Sequence, residues 1–182
     1  MTDKTITITS LEDLREQENR LNESAQRTVK DLKKKLNKPK SSEIFYSMKF
    51  DHSGHDPLDK KRSLNLIEQL NQHFTYLVSF KATAQLLREF PDKSFTMHLG
   101  TSRGPDIISE DSSVVAEVFA AVNPRNNDKL KKDVERVSQY KSSQKFVFYH
   151  SPKKHVNEDA LTEGFPDVKI MFIKEKELQK RL

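Results

Sequence analysis

A chain of 182 residues is long enough for one domain with a sizeable core, or for a smaller domain carrying an extension. At 34% hydrophobic and 32% charged residues, part of it buries little, which favours the second arrangement. The net charge of +5 favours a polyanionic partner; the lack of cysteine excludes a disulfide scaffold and a thiolate zinc site and fits a reducing compartment.

No apolar run approaches the roughly 20 residues that span a bilayer. The start, Met1-Thr2-Asp3-Lys4, is unlike a secretory signal. A cytoplasmic protein with no membrane association is the expectation. Ser10 and Asp13 then have the spacing of a capping box, with aspartate in place of the usual glutamate. Leu11, Leu14, Leu21, Ala25, Val29, Leu32 and Leu36 follow at helical intervals. Glu18 and Thr28 stand where a coiled-coil seam wants apolar groups, so the spacing predicts a docked or exposed arm rather than a zipper. Arg27, Lys30, Lys33, Lys34, Lys35, Lys38 and Lys40 stand against the single acid Asp31. Such a run can lie along phosphates, although cations at a solvated helix end are the plainer account. We expect residues 1–42 to form this basic helical arm and 43–182 an α/β domain.

Residues 43–50 carry Ile44, Phe45, Tyr46, Met48 and Phe50, which suit either an edge strand or a helical turn. His52, His55, Asp51 and Asp56 cluster around Gly54 and Pro57; this is turn chemistry, and a loop is expected rather than a metal site. Between 58 and 90 there is no glycine or proline, and apolar residues recur at helical spacing, predicting one long helix or two broken near Thr75 or Ala82. Residues 94–99 alternate as a strand. Gly104 and Pro105 lead into Asp106 and a short apolar strand, and 110–113 turn the chain into the apolar run 114–122. A helix with Leu130, Val134, Val137 and Tyr140 on its buried face comes next, with Asn123, Asn126 and Asn127 as capping residues. The run Phe146-Val147-Phe148-Tyr149 reads as a strand buried on both sides. A short helix closed at Gly164, a last strand over 168–173 and a charged terminal helix complete the chain. The order predicts a mixed central β-sheet flanked by helices, α-β-β-β-α-β-α-β from the long helix onward.

Glu117 lies in the middle of an apolar strand and demands a partner. With 110–113 as the loop, Ser109 pairs with Val114, and counting back sets Asp106 opposite Glu117, with Cβ atoms about 5 Å apart. Two buried carboxylates at that range repel, and the stable solutions are a divalent cation, a shared proton or a cationic partner. A three-residue loop would put them on opposite faces. Glu117 could also pair with Arg103 or Lys129 in a purely structural ion pair. His98 reads as a satisfied sheet residue, and Glu68 as a solvated helix charge before a metal ligand.

Pro105-Asp106 and Glu117, with this order of elements over roughly two-thirds of the chain, resemble the PD-(D/E)XK, or restriction-endonuclease-like, nuclease superfamily. The resemblance implies a restriction-endonuclease-like core, Mg²⁺ (with Mn²⁺ as substitute) held by Asp106 and Glu117, and a DNA endonuclease of restriction or defence type. The superfamily's motif lysine falls at Phe119, which can neither orient a water nor neutralise a phosphate. A surviving site needs a cation from elsewhere, and Lys129 and Arg103 are the candidates. The alternative is a catalytically degenerate relative that binds nucleic acid or scaffolds a complex, with the N-terminal helix contacting a second copy or another protein.

Overall fold

The computed structural model describes residues 4–37, 40–59, 61–100, 104–123, 126–154 and 158–182. The chain divides into two compact units, one formed by residues 1–15 and 77–182 and the other by 16–76. The division expected from the sequence, at residue 42, falls inside the second of these units. A strand at the N-terminus belongs to the first unit, while the long helices α1 (Leu11–Lys35) and α3 (Leu66–Glu89) each run from one unit into the other.

The first unit is built on a mixed sheet. Among the described residues it has six strands: β1 (Thr5–Ile8), β4 (Phe95–His98), β5 (Ile107–Ser109), β6 (Val114–Ala120), β7 (Gln144–His150) and β8 (Val168–Phe172), side by side in that order. The pairs from β1 to β6 are antiparallel, and β6, β7 and β8 run parallel. β1 was not expected, although Thr5-Ile6-Thr7-Ile8 alternates β-branched residues as an edge strand does. The parallel pairs require crossovers, supplied by α4 (Lys129–Ser138) and α5 (Glu158–Gly164); α6 (Glu175–Gln179) follows β8.

Both faces of β6 and β7 are buried, as the continuous apolar runs require. On one face Val115, Phe119, Val147 and Tyr149 pack with Leu130, Val134 and Val137 of α4. The other face carries Phe146 and Phe148, stacked at 5.7 Å, with Phe90 edge-on to Phe146 just beyond α3. Glu117 falls on the α4 face, two residues from Val115 and from Phe119.

Helix α1 begins with the expected box: Asp13 Oδ2 accepts from Ser10 N at 2.9 Å, and Asp13 N donates to Ser10 Oγ at 3.2 Å. The box itself lies in the first unit. The polar residues of the α1 stripe are buried, Glu18 at 6% and Thr28 at 4% exposure, which makes α1 a docked helix. The reason for Thr28 is a hydrogen-bonded knot around His55. His55 N donates to Gln69 Oε1 at 2.8 Å and to Thr28 Oγ1 at 3.3 Å, Ser24 Oγ donates to His55 O, and His55 Nε2 donates to Asp31 Oδ2 at 2.9 Å. Residues 41–50 settle as helix α2 (Ser41–Phe50). The long helix α3 is unbroken but shorter than the sequence pattern predicts, because Ser63 and Leu64 form β3 (Ser63–Leu64), which pairs with β2 (Gly54–His55) in a two-stranded ribbon. Asn65 and Glu68 close a second capping box: Asn65 Oδ1 accepts from Glu68 N at 2.9 Å and Glu68 Oε2 from Asn65 N at 3.2 Å. Glu68 therefore serves the start of α3, and Asp56, fully buried, accepts from the amides of Leu58 and Asp59.

Candidate functional site

Gly104, at φ +109°, takes a backbone conformation that residues with a Cβ rarely adopt, and with Pro105 it delivers Asp106 to the head of β5. The ladder to β4 continues through this point, since His98 N donates to Asp106 O at 2.8 Å and His98 Nδ1 donates to Pro105 O at 2.7 Å. His98 is thus a satisfied sheet residue. In the hairpin Ile107 faces Ala116 and Ile108 faces Val115, so one step further sets Asp106 opposite Glu117. The register expected from a four-residue loop is the register observed. Asp106 Oδ2 also accepts from Val118 N at 2.7 Å, which ties the carboxylate to the partner strand.

Glu117 is fully buried. Its Oε2 accepts from Arg136 Nη2, one of the cations on α4. Arg136 Nη2 also donates to Asp133 Oδ1 at 3.0 Å, and Lys129 Nζ reaches the same oxygen at 2.5 Å. One carboxylate oxygen of Asp133 therefore holds two cations side by side, Lys129 at 42% and Arg136 at 48% exposure. Among the described residues Glu117 Oε1 and Asp133 Oδ2 are buried with no donor. The carboxyl that faces Glu117 across the hairpin is that of Asp106, and two carboxyl groups hydrogen bond only when one keeps its proton.

The electrostatics follow from this crowding. Burial, then the Asp106 charge and the hydrogen bond with Asp106, push Glu117 up to about 9, against the pull of Arg136 and with a further push from Asp133. The arginine contact and the retained proton oppose each other, and burial together with Asp106 decides in favour of the proton. Asp133 is raised as well, chiefly by burial, with Lys129 and Arg136 acting the other way. Tyr140 is raised by burial and by the nearby Glu117. Of the three stable solutions for facing acids, the structure shows a cationic partner, Arg136, and the raised Glu117 carboxyl works toward a retained proton.

The cationic partner corrects the expected one. Lys129 meets Asp133 and lies over the Phe119 ring, 5.7 Å from its centroid, and Arg103 is outside the described residues. Phe119 is buried and stacked at 5.5 Å on Tyr149, whose hydroxyl donates to Glu158 Oε2 at 2.6 Å. α4 begins from Asp128, in a left-handed backbone and without a side-chain capping bond, rather than from an asparagine cap. Asp133 and Arg136 were missed as site residues. Asp133 had a readable signal: it lies three residues after Leu130 and beside Val134, within the buried stripe. Arg136, three residues further on, gave no comparable one.

Among the described residues no group of three or more His, Cys, Asp and Glu is arranged to hold a metal ion. Asp106 and Glu117 nonetheless form a pair of hard oxygen donors with an unpartnered oxygen between α4 and the hairpin. Mg²⁺ is commonly held by one or two carboxylates, completing its shell with water and substrate phosphate, so the donor set fits that ion. No family model, curated protein or solved structure matches the chain.

Proposed function

We propose that this chain is a Mg²⁺-dependent nuclease of the PD-(D/E)XK kind that hydrolyses phosphodiester bonds in DNA, with Asp106 and Glu117 as the metal ligands. The observation that carries the reading is the convergence of these two acids in the core, with Glu117 Oε1 lacking a donor among the described residues. The succession α3-β4-β5-β6-α4-β7-α5-β8 supports it. Bound Mg²⁺ would supply an activated water and charge to neutralise the phosphate. The chain's own residues prepare the place. To hold the ion, Glu117 would lose its proton to solvent and Oε2 would part from Arg136, whose side chain is half exposed. Lys129, steadied by Asp133 above the Phe119 ring, provides the positive charge that the motif position lacks.

Supercoiled plasmid incubated with Mg²⁺ or Mn²⁺ tests this reading against Asp106→Ala and Glu117→Ala. Wild-type cleavage, reduced by a factor on the order of 10² or more in both variants, is expected. Equal cleavage by all three proteins would sink the site. Calorimetric titration of Mn²⁺ gives a readout that does not depend on turnover.

A second reading is favoured by two observations: Arg136 occupies Glu117 Oε2, and Phe119 is stacked on Tyr149. In that reading the chain binds nucleic acid without cutting it. Its signature is salt-sensitive DNA binding with no Mn²⁺ uptake.

A further inference from the structure

The basic character of the chain is concentrated. Between residues 27 and 49 eight Lys and Arg stand against the two acids Asp31 and Glu43, whereas the whole chain carries only +5, so the remainder is close to neutral. Of this segment, residues 27–35 lie in the C-terminal half of α1 and residues 41–49 in α2. Arg27, Lys30 and Lys34 recur at three and seven residues and share a face of α1. A cleft of about 350 Å³ opens there, lined by Glu23, Gln26, Arg27 and Lys30, and Arg27 Nε is buried with no acceptor among the described residues. With Arg27 and Lys30 outweighing Glu23 along it, an orphaned guanidinium donor there is suited to an anion.

α2 is turned inside out. It buries Ser47 and directs Phe45, Tyr46 and Phe50 outward, at 71%, 63% and 57% exposure. The rings of Tyr46 and Phe50 are 4.9 Å apart, and Lys49 Nζ lies 5.3 Å from the Phe50 centroid. The ends of α1 and α2 are joined by Lys35 and Asp51 at 3.3 Å, which brings the cationic stripe and the aromatic face to one end of the second unit. Outward aromatic rings alone would suit a protein partner. With this excess of positive charge beside them, the complementary ligand is a polyanion that also offers flat apolar faces, and unpaired nucleic acid has both.

We propose that the second half of α1 and the outer face of α2 form a binding platform for single-stranded nucleic acid, with phosphates along Arg27, Lys30 and Lys34 and bases stacked on Phe45, Tyr46 and Phe50. The platform is separate from the carboxylate pair and does not depend on it. A duplex keeps its bases stacked on one another and engages only the cations. The two halves of the platform therefore answer to different ligands and different variants.

The experiment is fluorescence anisotropy of a labelled oligothymidine and of a labelled duplex with the full chain in EDTA, which removes hydrolysis from the measurement. Replacing Phe45, Tyr46 and Phe50 together by alanine is expected to weaken oligothymidine binding by roughly tenfold per stacked base while changing duplex binding little. Lys30→Gln with Lys34→Gln is expected to weaken both ligands and to lower the salt slope for oligothymidine by about 1.4, at roughly 0.7 for each phosphate no longer neutralised. Tyr46→Trp, which keeps a ring, should bind like wild type. Unchanged oligothymidine affinity in the triple alanine protein overturns the proposal. So does sedimentation showing that wild type is a dimer and the triple variant a monomer with equal DNA binding, which would make this face an interface between copies. Oligothymidine binding that stays intact in Glu117→Ala supports a platform independent of the carboxylate pair, whereas loss of plasmid cleavage in that variant bears only on the carboxylate site.

Discussion

Arg136, half exposed on α4, closes on Glu117, fully buried in the middle of β6, and the same guanidinium nitrogen holds Asp133 at 3.0 Å. The pair joins an otherwise apolar layer through its most polar point. Glu117 has Val115 and Phe119 as its same-face neighbours along the strand and Val134 and Val137 in the helix opposite. A charge in that setting is tolerated only if it is paired or protonated.

Arg136→Met is expected to lower stability by about 1–2 kcal/mol, less than the several kcal/mol typical when a fully buried pair is broken, because the arginine is half exposed and Glu117 can keep its proton. Glu117→Gln in the same background should recover part of the loss, since an amide needs no counter-charge. Urea denaturation of the two single variants and the double variant gives the coupling directly. Additive effects would mean that the two side chains do not cooperate.

Stability should also depend on pH through Glu117. In the folded protein it keeps its proton up to about 9, whereas its ordinary value is 4.5. Between those values the folded state binds more protons than the unfolded chain, so this contribution is complete below 4.5, falls as pH rises, and is gone above about 9. The steepest slope for one proton is about 1.4 kcal/mol per pH unit, and pairing with Arg136 makes the real slope smaller. Denaturation midpoints in EDTA, measured from roughly pH 5 to 9, should decline in wild type and decline less in Glu117→Gln. Parallel curves would refute a proton held by this residue.

The hairpin was legible because its register rests on a local feature, a four-residue polar loop between two short apolar runs. The same holds for α4, whose buried stripe at Leu130, Val134 and Val137 is a helical period. Arg136 was not legible. Its partner is nineteen residues away on a strand, and a solvated helix charge has the same sequence signature until the packing of α4 on β6 is known. α2 was ambiguous for a related reason. Its apolar residues follow neither period cleanly, because only Ile44 and Met48, beside the buried Ser47, turn inward while Phe45, Tyr46 and Phe50 are exposed. β1 is different; the Thr-Ile alternation was there to be read, and only its pairing with β4 required the structure.

Gly54→Ala should be costly although glycine here needs no unusual backbone. A Cβ at this position would lie 2.9 Å from the Cβ atoms of both Gln69 and Leu64, and Gln69 is the residue that accepts from His55 N at 2.8 Å. Accommodating the methyl must push α3 or the ribbon and stretch the knot around His55. A loss of about 1–3 kcal/mol is expected. Amide exchange should show it, with faster opening at His55 than at Val147 in the sheet. Wild-type exchange at His55 would mean that the ribbon yields without strain.

The last prediction concerns the register itself. Asp111 organises the loop: its Oδ1 accepts from Ser109 Oγ, Ser113 Oγ and Ser113 N, and Lys93 Nζ donates to Oδ2 at 2.5 Å. The Lys93 ammonium and these donors hold the Asp111 carboxyl well below the usual carboxylate range. Ser112 takes a left-handed conformation at φ 57°, which glycine adopts without the steric cost. Ser112→Gly should therefore stabilise the protein by roughly 0.5 kcal/mol once its added freedom in the unfolded chain is set against the relief. It should leave the pH dependence unchanged. Deleting Ser112 does something else. A three-residue loop shifts the pairing by one residue, and Asp106 and Glu117 can no longer share a face unless the ladder breaks. Both outcomes lower stability by more than any single substitution above and abolish the slope assigned to Glu117. A deletion variant that kept that slope would show that the acids converge for a reason other than register.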